Sequence, residues 1–477
     1  MYGVKVVTGA AAAVLLLTCA GPLPVLADTI EAALVRSYQG NPQLNSQRAQ
    51  VRATDENVPQ ALSGYRPKVA LTGNVGVQYS DTTQVTGGLV PGPGGVGTLP
   101  TINRNQQHGV NPPRSVGLTV NQTVYDGQIT ANRVRAAEGQ VSGAREALRV
   151  LEETVLLNAA TIYMDYLRDS ATVEVQRSNV HVLEETLKQT RDRFNVGEVT
   201  RTDVAQAEAQ LAAGKTQEQT AESQLVTTRA NFRRIIGNEP SNLQPGSPVD
   251  RFLPKSMAAA VDVSLIENPN VTAAMYGVDV AFLNVKINEG ALLPTVNIQA
   301  AVNQAYQQQL TIFKSFNASL TAQLTVPIYQ GGTEYALIRQ SKETVTQQRL
   351  ALDQTRDQIR ATTVQAWGQL EANKAQVVSA QAQVTAAEVA LNGVREEDKA
   401  GQRTTLDVLN AQQALVNARI ALVTAQHDRV VSSYSVLSAV GRLSPQVLGL
   451  ATQVYDPSVH YQQVRDSWVG VRTPDGK

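Results

Sequence analysis

A single cysteine, Cys19, in 477 residues leaves no disulfide framework and no cysteine cluster to hold a metal. The four histidines, His108, His181, His427 and His460, are scattered, with no Cys or carboxylate at metal-ligand spacing, so no metal site is expected. No glycine-rich phosphate loop follows a strand-like run, and there is no Gly-x-Ser-x-Gly elbow. Glu396-Glu397-Asp398 reads as a solvated helix end, not an acid/base pair. Catalysis therefore has no residues to stand on, and no cofactor is implied. Lys+Arg and Asp+Glu both total 41, so no net charge recruits nucleic acid. Aromatics make up only 5% of the chain, and much of its apolar content is small, which fits long helices packed through alanine better than a thick globular core. After the N-terminus no apolar run approaches the ~20 residues of a spanning helix. If the mature protein meets a membrane, it does so with strands.

What is present begins with an export signal over residues 1–27. Lys5 supplies its positive region, Val6 to Leu17 its apolar region and Val25-Leu26-Ala27 a small-residue cleavage site before Asp28. Cys19 lies inside it. A lipidated N-terminus at Cys19 is the alternative, disfavoured because Thr18 is bulkier than the Gly, Ala or Ser that normally precede such a cysteine.

The rest of the chain is two copies of one plan. Asn41-Pro42 and Pro67 recur as Asn268-Pro269 and Pro294 at a separation of 227, with Thr29 and Ser256 as matching helix N-caps upstream. From Tyr125-Asp-Gly127 and Tyr329-Gln-Gly331 onward the separation is 204, through Gly197/Gly401, Asp203/Asp407 and Gly237/Gly441. The first copy, 28–243, holds strands at about 67–80 and 115–125 and long helices at about 127–195 and 202–237. The second, 244–450, holds strands at about 294–306 and 318–329 and long helices at about 331–399 and 404–441. The polar remainder, 451–477, reads as a loose tail. The first copy's extra 23 residues, the difference between 227 and 204, fall between its two strand-like runs, around Thr86–Pro100, whose Gly/Pro content predicts a mobile irregular loop.

Each strand alternates. Val69, Leu71, Val75, Val77 and Tyr79 share one face, as do Val116, Leu118, Val120 and Val124, then Val296, Ile298, Ala300 and Val302, then Leu320, Ala322, Leu324, Val326 and Ile328; Thr, Asn, Gln and Lys68 fill the other faces. No surplus apolar segment is left to cover such a sheet. An outward apolar face with a polar lumen is the pattern of an outer-membrane barrel. Unpaired edges cannot face lipid, so other chains must complete it: two copies would give eight strands and three would give twelve.

The helices between strands and tips contain no proline, and 69 residues at 1.5 Å rise make each roughly 100 Å long. Leu409, Val416, Val423, Val430 and Leu437 recur every seven residues, as do Leu406, Ile420 and Tyr434, with Val204, Leu211, Leu225 and Phe232 in the first half. This predicts antiparallel coiled-coil hairpins. His427 falls on the same seam as a packed or solvated helix residue. The hairpins turn at Val196–Ala207 and Ala400–Ala411, which the repeat places together as the mouth of a tunnel.

These tips carry a resemblance. Phe194-Asn-Val-Gly197 with Thr202-Asp203-Val204, and Gly401-Gln-Arg403-Thr-Thr-Leu-Asp407-Val-Leu-Asn-Ala411 followed by Ala414-Leu-Val-Asn-Ala-Arg419, are similar to the tip motifs of the TolC family of outer-membrane efflux and secretion channels. The similarity runs from Asp28 to about Leu450. It implies a mostly helical fold: a homotrimer sharing a twelve-stranded transmembrane β-barrel, continued into the periplasm by an α-helical tunnel. It also implies a passive duct supplied by an inner-membrane pump through a periplasmic adaptor. By the same resemblance, Arg403 reaches Thr202 and Asp203 of a neighbouring hairpin as a latch. Asp407 forms an acidic ring at the constriction, where the family's second acidic position is Asn410 here. Asp398 replaces a tyrosine that helps the latch. Gly197 and Gly401, at the only parts reaching toward the inner membrane, are the expected adaptor contacts. A soluble coiled-coil interaction protein and a stand-alone porin remain the alternatives at this stage.

Overall fold

The computed structural model describes residues 28–91, 93–95, 98–474 and 476. The export signal and Cys19 lie outside the described residues. In chain order the elements are α1 (Ile30–Gly40), α2 (Pro42–Asp55), α3 (Asn57–Leu62), β1 (Lys68–Val75), β2 (Gln78–Pro91), β3 (Thr98–Asn111), β4 (Arg114–Tyr125), α4 (Ile129–Asn195) and α5 (Arg201–Ile236). The second half follows with α6 (Met257–Glu267), α7 (Pro269–Gly290), β5 (Thr295–Gln309), β6 (Ile312–Thr325), α8 (Thr333–Lys399) and α9 (Thr405–Val440), and the chain closes with α10 (Pro445–Leu448) and α11 (Ser458–Val464).

Local chemistry sets the helix boundaries. The Thr29 hydroxyl accepts from the Ala32 N–H at 3.2 Å and the Ser256 hydroxyl from the Ala259 N–H at 3.3 Å. Asn41 and Asn268 cap α2 and α7 with their side chains, and each is followed by a proline that has no N–H to leave unpaired. At the far ends of α5 and α9, Gly237 and Gly441 adopt φ of 94° and 86°, a left-handed C-cap that a side chain would strain. Between these points nothing interrupts the ladder, and α4 and α8 each run 67 residues, about 100 Å.

The four-stranded antiparallel sheet has the order β1-β4-β5-β6. Register aligns Val69, Val120, Ala300 and Leu320, then Leu71, Leu118, Val302 and Ala318, on one face. Lys68, Asn121, Gln299 and Thr321 align on the other. The apolar face is solvent-exposed in the single chain, and β1 and β6 have no partner on their outer edges. A register shift between Thr123 and Tyr125 sets Tyr125 opposite Val296, on the apolar side. Among the described residues, no helix is long and apolar enough to cross a membrane.

Two expectations are corrected. The insertion at 86–100 is not an irregular loop: β2 and β3 pair in unbroken register from Gln78↔Asn111 to Pro91↔Thr98. Glycine and proline concentrate at its turn, where Gly94 and Gly95 take φ of 82° and 79°, while the Thr, Gln, Val and Ile flanks are good strand formers. Val77 and Tyr79 accordingly fall outside β1, beyond a break where Pro112-Pro113 cannot donate to the ladder. Nor is the C-terminal tail loose. His460 Nδ1 lies 3.0 Å from the buried Asp55 carboxylate, and Arg145 sits over the Tyr461 ring at 5.1 Å. Scattered single polar and aromatic residues dock it, so no periodicity announced the contact.

The main core lies where α1, the middle of α4, the end of α5 and the end of α9 meet, around Leu34, Tyr38, Leu156, Tyr163, Phe232, Tyr434 and Leu437. Below it the hairpins hold smaller clusters: Leu183, Leu187, Ala207 and Leu409 join α4, α5 and α9, and Val384, Leu391, Leu415 and Ala418 join α8 to α9. The four long helices thus lie side by side as α5, α4, α9 and α8, with α5 and α8 at the margins.

Candidate functional site

Both tips are built by one device. α4 ends at Asn195 and the chain reverses through Gly197 at φ 84°; α8 ends at Lys399 and reverses through Gly401 at φ 74°. A Cβ at either glycine would meet nothing within 4 Å, so backbone conformation rather than space requires glycine there. Each returning helix opens with a capping box. Asp203 accepts from the Thr200 N–H at 2.8 Å while Thr200 Oγ1 accepts from the Asp203 N–H at 3.3 Å; Asp407 and Thr404 repeat this at 3.0 and 3.3 Å. These bonds favour the ionised carboxylates. The side-chain and backbone hydrogen bonds of Thr200 hold Asp203 below the usual carboxylate range, and the backbone and side-chain bonds of Thr404 do the same for Asp407.

Of the residues named from sequence, Gly197, Thr202, Gly401, Arg403 and Asn410 are exposed and Asp203 and Asp407 partly exposed, all at the tips. Within one chain Arg403 does not meet Thr202 or Asp203. Its Nε lies 2.8 Å from Glu397 Oε2 of its own tip, which raises the arginine pKa. Asn410 follows Asp407 by one turn. The two hairpins are instead joined by a pair that sequence reading missed: Arg193 Nη1 on α4 and Asp398 Oδ2 on α8, 3.2 Å apart. Arg193 also pairs with Glu198 at 3.2 Å. Together with Glu185, Arg395 and Lys399 these side chains line an open groove of about 610 Å³ between the tips. The departure at Asp398 was visible in the sequence; its partner was not, because nothing in the repeat pairs position 193 with 398.

The histidines lie elsewhere. His427 is buried on α9, with Nε2 3.0 Å from Asp165 and Nδ1 2.8 Å from Asp428. Burial opposes its charged form, yet the bonds to Asp165 and Asp428 outweigh it and raise its pKa. His181 lines the tip groove and His108 sits opposite Asp81 in the β2–β3 hairpin. The arrangement offers charged, paired turns at the end of a long hairpin, and among the described residues no group of three or more His, Cys, Asp or Glu side chains is placed to hold a metal ion.

Known proteins share this fold. The family model described as outer membrane efflux protein matches residues 33–238 and 260–442. The chain is 40% identical to the outer membrane efflux protein BepC of Brucella suis over 95% of this chain and 94% of that one. It is 25% identical to the outer membrane protein TolC of Vibrio cholerae, over 88% and 92%. Its fold matches the Campylobacter jejuni CmeC outer membrane channel with a TM-score of 0.73 at 16% identity, covering 92% of this chain and 89% of that one.

Proposed function

Because the chain belongs to the outer membrane efflux protein family and is an outer-membrane channel of an efflux or type I secretion system, with its helical tunnel in the periplasm, we propose that it works as a homotrimeric passive exit duct. The observation that carries this reading is the four-stranded sheet, apolar on one face, polar on the other and unpaired at both edges, joined to helices of about 100 Å. Three such sheets close a twelve-stranded barrel and satisfy both edges, with β1 of one copy against β6 of the next. The helices then close in the same sense, α5 of one copy beside α8 of its neighbour. An inner-membrane pump supplies cargo and energy, and a periplasmic adaptor grips the tips around Gly197 and Gly401.

In the ring, Arg403 exchanges its own Glu397 for Thr202 and Asp203 of the adjacent hairpin. A guanidinium on an ionised, capping-box carboxylate is a charge-assisted contact that closes the tips. Three Asp407 carboxylates converge on the axis and concentrate negative potential there, with Asn410 making this entrance less acidic than the pattern with two acidic positions. The experiment is conductance in planar bilayers. Arg403→Ala and Asp203→Ala each raise single-channel conductance; unchanged conductance in both removes the latch. Native mass spectrometry of the detergent-extracted channel gives three copies, and any other stoichiometry removes the trimer.

A further inference from the structure

We infer that the C-terminal segment around Trp468, Val469 and Val471 is a membrane anchor, seated in the periplasmic leaflet of the outer membrane at the foot of the barrel. The inference rests on the sheet lying in that membrane. Past the main core, where Leu443 and Leu448 are buried, the tail runs along α2 and α4 toward the strands. The Tyr455 N–H donates to the Tyr38 hydroxyl at 3.2 Å. His460 meets Asp55, the Tyr461 hydroxyl donates to Glu138 at 3.4 Å, and Arg465 lies 3.7 Å from Glu138. Tyr38 in turn donates to Glu152 of α4 at 3.2 Å, and since α4 runs away from the barrel, the order from Glu152 through Arg145 to Glu138 is an ascent. It ends at Arg66, two residues before β1, whose Nη1 donates to the Ser467 carbonyl at 2.6 Å and whose guanidinium lies 4.8 Å from the Trp468 ring.

The tail is therefore bound up to Ser467; beyond it Trp468 has Arg66 against its ring and is otherwise open, and Val469 and Val471 are open among the described residues. Trp468, Val469 and Val471 are 66%, 90% and 100% exposed. They stand level with the lower rim of the sheet, where Tyr65, Tyr125, Ile328 and Tyr329 are exposed as well. That rim continues the apolar face of the sheet, so the uncovered tail prolongs a lipid-facing surface. Tryptophan favours the headgroup region, where its ring is apolar and its N–H stays wet. Arg66, against the Trp468 ring, and Arg472, one residue past Val471, flank the patch and complement phospholipid phosphates. Arg66 has a double task, holding the tail through the Ser467 carbonyl and presenting the ring.

Only two tryptophans occur in the chain, which makes the test direct. The full-length channel carrying Trp367→Phe, reconstituted in phospholipid bilayers, reports Trp468 alone. The expected result is blue-shifted emission, quenched more strongly by lipids brominated near the headgroup than near the chain end. A second channel carrying Trp367→Phe, Trp468→Phe and Leu320→Trp places the reporter on the apolar sheet face, with chain-end bromines quenching it best. Quenching at Leu320→Trp without quenching at Trp468 overturns the anchor and leaves the barrel reading intact. Quenching at neither overturns both. Blue-shifted but unquenched Trp468 emission also overturns the anchor, because protein, such as a second copy, then covers the ring. In the wild-type channel in vesicles the tail resists protease, and Trp468→Ser with Val469→Ser loses that protection while conductance stays unchanged; equal protection in both overturns the anchor.

Discussion

Helices α4 and α8 occupy equivalent places in the two halves, have the same length and end in the same kind of turn, yet they meet different surroundings. Near the tips they agree: Val180 and Val384, like Leu187 and Leu391, sit 204 residues apart and are buried in both hairpins. Toward the sheet they part. Glu153 on α4 is 6% exposed, whereas the side chain of its counterpart Asp357 on α8 is 77% exposed and pairs with Arg360. Ala160 is buried where Val364 is open. The difference lies in position: α4 is packed by α1, α2 and α3 as well as α5, α7 and α9, while α8 meets α6, α7 and α9 and keeps one flank open. Leu350, Val364 and Val378 lie fourteen residues apart on the exposed side of α8, a seam at twice the heptad spacing that no described residue of the chain covers.

The strongest way to sharpen this contrast is to cut into the central helix. Leu156→Ala, in the main core, should cost about 2–5 kcal/mol, whereas its counterpart change Arg360→Ala should move the unfolding midpoint hardly at all. Urea unfolding of both variants checks it, and equal shifts break the centre-and-margin distinction. Next comes pH. Burial raises the Glu153 carboxyl to about 8, with Glu146 and Glu152 adding to this and Arg149 opposing it. A raised folded-state pKa means the native state holds the proton more tightly than the unfolded state. Its stability is therefore fullest below the ordinary carboxylate range and falls as pH rises through about 8. Glu153→Gln should flatten that slope, and Asp357→Asn should leave it unchanged, as thermal melts across the pH range would show.

On the marginal side, Val378→Asp should leave helix content intact and lower the fraction of channel recovered as trimer by native mass spectrometry. Full trimer recovery would mean the seam faces no neighbour. The smallest effect belongs to the half-exposed pair Arg193–Asp398, which joins the hairpins inside one chain. A double-mutant cycle with Arg193→Ala and Asp398→Ala should give a coupling below about 1 kcal/mol. A larger coupling would shift the main tip contact from between chains to within one.

Much of this plan was legible in the sequence. Alternating strands, proline-free helices and tip glycines are local patterns, and each rests on chemistry acting within a few residues. The insertion was misread because composition was averaged over Thr86–Pro100: Gly87, Gly88, Pro91 and Pro100 lie within the two pairing strands, and glycine and proline concentrate only at the turn between them. The tail was misread because His460, Tyr461 and Arg66 dock through single contacts hundreds of residues away. At the tips, the capping roles of Asp203 and Asp407 could have been taken from Thr200-x-x-Asp203 and Thr404-x-x-Asp407, since the box is a local signature. The Arg193–Asp398 pair could not.

By itself, then, the sequence determined the elements: where helices start and stop, which strand face is apolar, and that two hairpins match. Propensity, capping and alternation are short-range and leave their marks in order along the chain. Only the tertiary structure decided which of two matching helices is central, that Glu153 loses its water while Asp357 keeps it, and that the C-terminal tail climbs to Arg66. Those outcomes depend on which surfaces long, nearly interchangeable helices turn toward one another. That choice is made by contacts hundreds of residues apart in the chain, which no periodicity records.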